Sequence, residues 1–255
     1  MINDFKACRF DPGVLMCGTG AGSRSGGACF SRVQVDALNA LMGGARDSKN
    51  RPIYGWYPYD TGIAAPVWRS MHLGTSTNSQ VNSVDAVLGA DTLRYFALSP
   101  PDPSFDQLTF DFDKDLQRTA ETAAINDATS TYLSTFAERG AKMIVYHGLS
   151  DQGMSTGALS TWYEHLTPAR AGGAQSWARL FLIPGMTHCG GGLATDRFDM
   201  LAAILAWVEK DKAPDRIIAT GTAFPGVSRP LCPYPKIARY TGGDSVDERS
   251  FACAE

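Results

Sequence analysis

Hydrophobic and polar positions change their rhythm about midway along the chain. From residue 110 onward, apolar runs of strand length alternate with stretches of helical spacing. AKMIVYHG (141–148) is a short apolar run rich in β-formers, and ARLFLIPG (178–185) is a second one. Continuous apolar runs of this length suit strands buried on both faces of a parallel sheet. Between them STGALSTWYEHL (155–166) has helical spacing, and DRFDMLAAILAWVEK (196–210) is strongly amphipathic. A further polar helical stretch is predicted over 114–138. The order strand, helix, strand, helix predicts an α/β fold with crossover helices covering a parallel sheet.

Residues 1–110 have a different texture. GTGAGSRSGG (18–27) reads as loop, SRVQVDALNALM (31–42) as a helix opened by a serine cap, and IYGWYPYDTG (53–62) as an aromatic, poorly periodic stretch. Trp56, Tyr57, Tyr59 and Trp68 crowd this region. Rings in such a setting are read first as core or inter-domain packing and second as the walls of a pocket for a flat molecule.

Composition narrows the field. With 255 residues and 44% hydrophobic side chains, the chain can bury a large core. A net charge of −3 leaves no basic surface for a phosphate backbone, which excludes nucleic acid as a partner. No apolar run approaches the roughly 18 residues of a membrane span, so no membrane partner is expected. The opening MINDFKACRF lacks the charged start and apolar middle of a signal peptide. Cys8, Cys17, Cys29, Cys189, Cys232 and Cys253 form no CxxC pair, which disfavours zinc and redox motifs and favours disulfides in an oxidising compartment. The expectation is therefore a secreted or periplasmic protein whose natural chain begins further upstream.

In open α/β sheets, function gathers at the carboxyl ends of the strands. Asp151 lies just beyond the first predicted strand, and His188 just beyond the second. Neighbouring parallel strands would bring them together as an aspartate that fixes the tautomer of a histidine. Gly190, Gly191 and Gly192 let the loop turn sharply enough to present the ring. The plainer readings are a surface histidine before a glycine hinge, and an aspartate in an ordinary Ser-Asp-x-Gly turn. His147 is read as a hydrogen-bonded structural residue at the rim of the site, and His72 and His165 as exposed.

A base and its acid call for a nucleophile, and a G-x-S-x-G elbow between strand and helix is absent from the sequence. The nearest imitations are GSRSGG (22–27), which follows no buried strand, and Ser150, which abuts Asp151. Cys189 adjoins His188, but neighbouring side chains project in different directions; a disulfide is the better role for it.

AKMIVYHGLSDQGMS, RLFLIPGMTHCGGG, FDMLAAILAWVEKDKAPDRIIATG and SRPLCPYPKIARYTGGDS, followed by FAC, resemble in this order the C-terminal part of the tannase and feruloyl esterase family. CRFDPGVLMC (8–17) and LTFDFDKDL (108–116) resemble its earlier segments. The resemblance covers essentially the whole chain. It implies an α/β-hydrolase fold, with residues 1–110 an incomplete lid-domain segment and residues 111–255 the C-terminal part of the catalytic domain. It places Asp151 and His188 on the acid and base of a Ser-His-Asp triad that needs no cofactor. It also implies that Cys189 would bridge to a cysteine preceding the serine, on a segment this chain lacks, and that a structural calcium site is largely missing here. Cys17–Cys29 and Cys232–Cys253 remain as pairs, each worth roughly 3 kcal/mol, while Cys8 and Cys189 are orphaned. A bond between those two would depart from the family pattern.

The expected activity is hydrolysis of esters of aromatic, phenolic acids, with a small aromatic ester as substrate and the serine supplied by a missing or separately encoded N-terminal half. The alternatives are an inactive module that binds phenolic ligands and one subunit of a split esterase.

Overall fold

The computed structural model describes residues 3–18, 29–167 and 172–255. The first part is helical and loop-rich, with α1 (Arg32–Gly43), α2 (Pro66–His72) and α3 (Val84–Thr92). Ser31 caps α1 as its sequence predicts: its side chain accepts from the Gln34 N–H, and the Gln34 side chain accepts from the Ser31 N–H. Such a reciprocal cap contributes about 1 kcal/mol.

The helix predicted over 114–138 is instead broken. A single tight turn (Leu116–Thr119) leads into α4 (Ala120–Asn126), and after a non-helical stretch comes α5 (Ser134–Glu138). The reason lies in where the intervening carbonyls go. Ser130 O accepts from the Trp162 indole at 3.0 Å, and Thr131 O accepts from the Thr167 N–H at 3.0 Å. These carbonyls turn toward neighbouring elements, and the backbone leaves the helical path between α4 and α5.

Next come β1 (Met143–Gly148), α6 (Thr156–Glu164), β2 (Ala178–Ile183) and α7 (Met200–Lys210). β1 and β2 pair in parallel, Met143 opposite Ala178 through Gly148 opposite Ile183. β2 is buried on both faces by strict alternation. Ala178 and Leu180 belong to a cluster with Leu149, Tyr163, Trp177 and Tyr234, whereas Phe181 and Ile183 belong to one with Met186, Ala194, Ile217 and Leu231. α6 covers the first side through Tyr163 and Leu159, and Met200 and Ala203 of α7 pack against the second. Among the described residues, β2 is the only strand paired with β1.

α7 begins four residues later than its amphipathic pattern suggests. Asp199 caps it by accepting from the Ala202 N–H, while Arg197 pairs with Thr220 at 2.7 Å. The tail forms two antiparallel pairs, β3 (Ile217–Ala219) with β4 (Arg229–Leu231) and β5 (Ile237–Tyr240) with β6 (Phe251–Ala254). Disulfides join Cys17 to Cys29 and Cys232 to Cys253, and Cys8 and Cys189 are free. Among the described residues, no helix is long and apolar enough to cross a membrane.

Candidate active site

The loops leaving β1 and β2 are laced together at their start. Leu149 N donates to Ile183 O at 3.0 Å, and Ser150 N donates to Met186 O at 3.0 Å. Asp151 follows directly and is 5% exposed. A carboxylate this deeply buried needs donors. Its Oδ1 accepts from the N–H groups of Gly153 and Met154 at 2.8 and 3.0 Å. Its Oδ2 lies 3.0 Å from His188 Nδ1. Because a carboxylate only accepts, Nδ1 carries the hydrogen, and Nε2 is left as the nitrogen available to the groove that His188 lines.

The base loop is tied rather than loose. Gly190, Gly191 and Gly192 all have positive φ, as does Cys189 at 62°. Thr187 Oγ1 donates to Gly190 O at 2.6 Å, and Gly191 N donates to Asp196 Oδ2 at 2.8 Å. Asp196 was not singled out by the sequence; its place in this loop follows from the hairpin-like return at Met186 and Gly192.

His147 combines both roles considered for it. It lines the groove, and its Nε2 lies 3.1 Å from Met154 O and 3.7 Å from Asp151 Oδ2. The carbonyl fixes Nε2–H as a donor. Burial pushes the His147 pKa below its ordinary value, outweighing the nearby Asp151 carboxylate, so the ring is neutral at pH 7. His165 is exposed at the end of α6, as expected, and donates to Thr161 O at 2.7 Å. His72 is not exposed. Its side chain, at 6% exposure, meets Asp85 Oδ2 at 2.6 Å and packs on Trp68 with ring centroids 4.7 Å apart. α2 and α3 pack together and enclose it, a tertiary effect with no local signal.

An open groove of about 640 Å³ runs from His188 and Cys189 along β1. Tyr54, Tyr146 and Trp162 supply its aromatic walls, with Leu159, Met154 and Met186. Of the aromatic residues singled out in the sequence, none lines it. Trp56 packs against Phe5, Tyr57 against Tyr54, Tyr59 against Phe10, and Trp68 against His72. They are packing residues, the first of the two readings. A more enclosed cavity of about 400 Å³ lies elsewhere, between residues 3–6 and the tail strands.

The only hydrogen bond of the His188 ring among the described residues is to Asp151. Ser150 is committed to Asp60, and Ser155 Oγ donates to Trp56 O at 2.7 Å. GSRSGG (22–27) lies outside the described residues. The calcium implied by resemblance finds no fit: among the described residues, no group of three or more His, Cys, Asp or Glu side chains is placed to hold an ion. Asp111 and Asp115, in an acidic run, are already paired with Lys114 and Arg118.

The family model for tannase and feruloyl esterase matches residues 1–254. The chain belongs to this family. It is 40% identical to mono(2-hydroxyethyl) terephthalate hydrolase of Piscinibacter sakaiensis over 294 aligned positions, covering 100% of this chain and 48% of that protein. It is 32% identical to a probable feruloyl esterase of Arthroderma benhamiae, again covering 100% of this chain and 48% of that one. Feruloyl esterase B from Aspergillus oryzae superposes with a TM-score of 0.77 at 24% identity, over 99% of this chain and 52% of that one. The likeness shows an α/β-hydrolase fold. The chain spans about half the length of these relatives.

Proposed function

We propose that the chain forms part of a hydrolase of carboxylic esters of aromatic acids, in which His188 is the general base and Asp151 the acid that orients it. The observation that carries this reading is the 3.0 Å bond between His188 Nδ1 and Asp151 Oδ2 at the ends of paired parallel strands. His188 Nε2 takes the proton of a serine hydroxyl as that oxygen attacks the ester carbonyl, and then hands it to the departing alcohol. Asp151 stabilises the imidazolium formed in between. The serine comes from outside these 255 residues, a reading supported by the lack of a G-x-S-x-G elbow in the sequence. Tyr54, Tyr146 and Trp162 suit a flat acyl group. The relatives' names, which specify a terephthalate monoester and feruloyl esters, point the same way. Two disulfides support an oxidising compartment, hence a secreted or periplasmic enzyme.

The chain is assayed on p-nitrophenyl and galloyl esters, alone and co-expressed with the N-terminal half of the Piscinibacter sakaiensis relative. Alone, it turns over at background. Together, the two parts hydrolyse the esters, and His188→Ala abolishes that gain. Turnover by the chain alone above about 1 per second, lost in His188→Ala, would place the nucleophile within these residues and overturn its external supply.

A further inference from the structure

Asp60 is a largely buried carboxylate that the proton relay does not use. It lies near the end of the aromatic stretch 53–62, and that stretch grips the acid loop from outside. Tyr57 Oη donates to Gly153 O at 3.0 Å, Ser155 N donates to Tyr54 Oη at 3.1 Å, and Gly157 N donates to Trp56 O at 3.1 Å. Asp60 makes the charged contact of the set. Its Oδ2 accepts a short hydrogen bond from Ser150 Oγ, and its Oδ1 accepts from the Gly62 N–H at 2.8 Å.

Ser150 is the residue directly before Asp151. Its N–H is held by Met186 of the base loop and its hydroxyl by Asp60, so both of its polar handles are anchored on different segments. There is little slack between them. A Cβ at Gly62 would lie 2.4 Å from the Ser150 Cβ, so only glycine lets the two segments approach this closely. Burial raises the Asp60 pKa, and the hydrogen bonds from Ser150 and Gly62 offset part of that rise.

We propose that Asp60 is a positioning residue for Asp151, acting through the Ser150 hydroxyl, so that the 53–62 segment sets the aim of the His188–Asp151 pair. This rests on the proton-relay reading above. It makes a segment distant in sequence part of what keeps acid and base in register, where small misplacements are costly to rate.

The test uses the 255-residue chain labelled with ¹⁵N. The low-field Nδ1–H resonance of His188 is identified by its loss in His188→Gln. Asp60→Asn and Ser150→Ala are each expected to move that resonance toward the position of an unbonded ring N–H. They should also speed exchange of the Gly153 and Met154 amides by about tenfold. Because both variants break one bond, the double variant should shift no further than the larger single one. Tyr57→Phe, which removes another bond of the same segment without touching Ser150, should leave the resonance in place.

The proposal falls if folded Asp60→Asn and Ser150→Ala leave resonance and exchange unchanged, if their effects add, or if Tyr57→Phe shifts the resonance equally. Should Ser150→Ala fail to fold, the near-isosteric Asp60→Asn decides alone. If the unsubstituted chain has no such resonance, the relay reading fails instead, and the exchange rates still report on the Asp60 clamp.

Discussion

The backbone of Gly148 passes so close to Met186 that a Cβ at 148 would lie 2.2 Å from the Met186 carbonyl oxygen. This contact sets how near the acid and base loops come. Gly148→Ala forces one of them away and should destabilise the fold by roughly 2 kcal/mol, as overpacking does. Urea unfolding measures the loss. A variant as stable as the original would mean that the loops can part at no cost, and that their convergence is not enforced here.

Stability should fall as pH drops below neutrality because of His147. Burial favours its neutral ring, so its folded pKa lies below the ordinary 6.5. As pH falls through 6.5, the unfolded chain takes up a proton that the folded chain does not, and the balance shifts toward unfolding. His147→Gln should flatten the slope of stability between about pH 7 and about pH 5. Asp60, raised by burial, acts with the opposite sign: its contribution is full below 3.8 and is lost as pH rises through its folded value. An unchanged slope in His147→Gln would show that folding leaves the proton affinity of the ring as it is in the unfolded chain.

Half of the site's frame was legible locally. β1, β2 and α6 are announced by apolar runs and helical spacing, and the cap of α1 by Ser31 and Gln34. Asp151 and His188 could be paired because each follows a strand of one parallel pair. What stayed hidden joins residues distant in the chain. Ser150 and Asp60 are 90 positions apart, and His72 is enclosed by Asp85 only once α2 meets α3. The break between α4 and α5 was hidden for the same reason, since it depends on carbonyls claimed by α6 and the residues beyond it.

The tail depends on its covalent staple. The Cys232–Cys253 bond closes a separation of 21 residues and ties the residue directly after β4 to β6. Replacing both cysteines with serine should lower stability by about 3 kcal/mol on the chain-entropy account. Denaturant melts of the two forms give the difference, and a loss well under 1 kcal/mol would show that the antiparallel pairs hold unaided.

α7 shows an apolar stripe to solvent: Leu201, Leu205 and Val208 are 67%, 46% and 60% exposed. With an edge of β1 that no strand among the described residues covers, this surface favours association. Sedimentation should find the chain self-associating, and Leu201→Lys with Leu205→Lys should shift it toward monomer. A clean monomer before any substitution would count against the external serine-bearing half.

Cys189 sits at φ 62°, in a bend whose next three positions are all glycine. A side chain there works against the backbone geometry, and glycine would fit more comfortably. The sulfur therefore rides on the same crank that aims the imidazole, one residue away and open to solvent. A covalent cap on that thiol, whether a reagent or a second sulfur, would therefore sit one residue from the imidazole, in the bend that presents it.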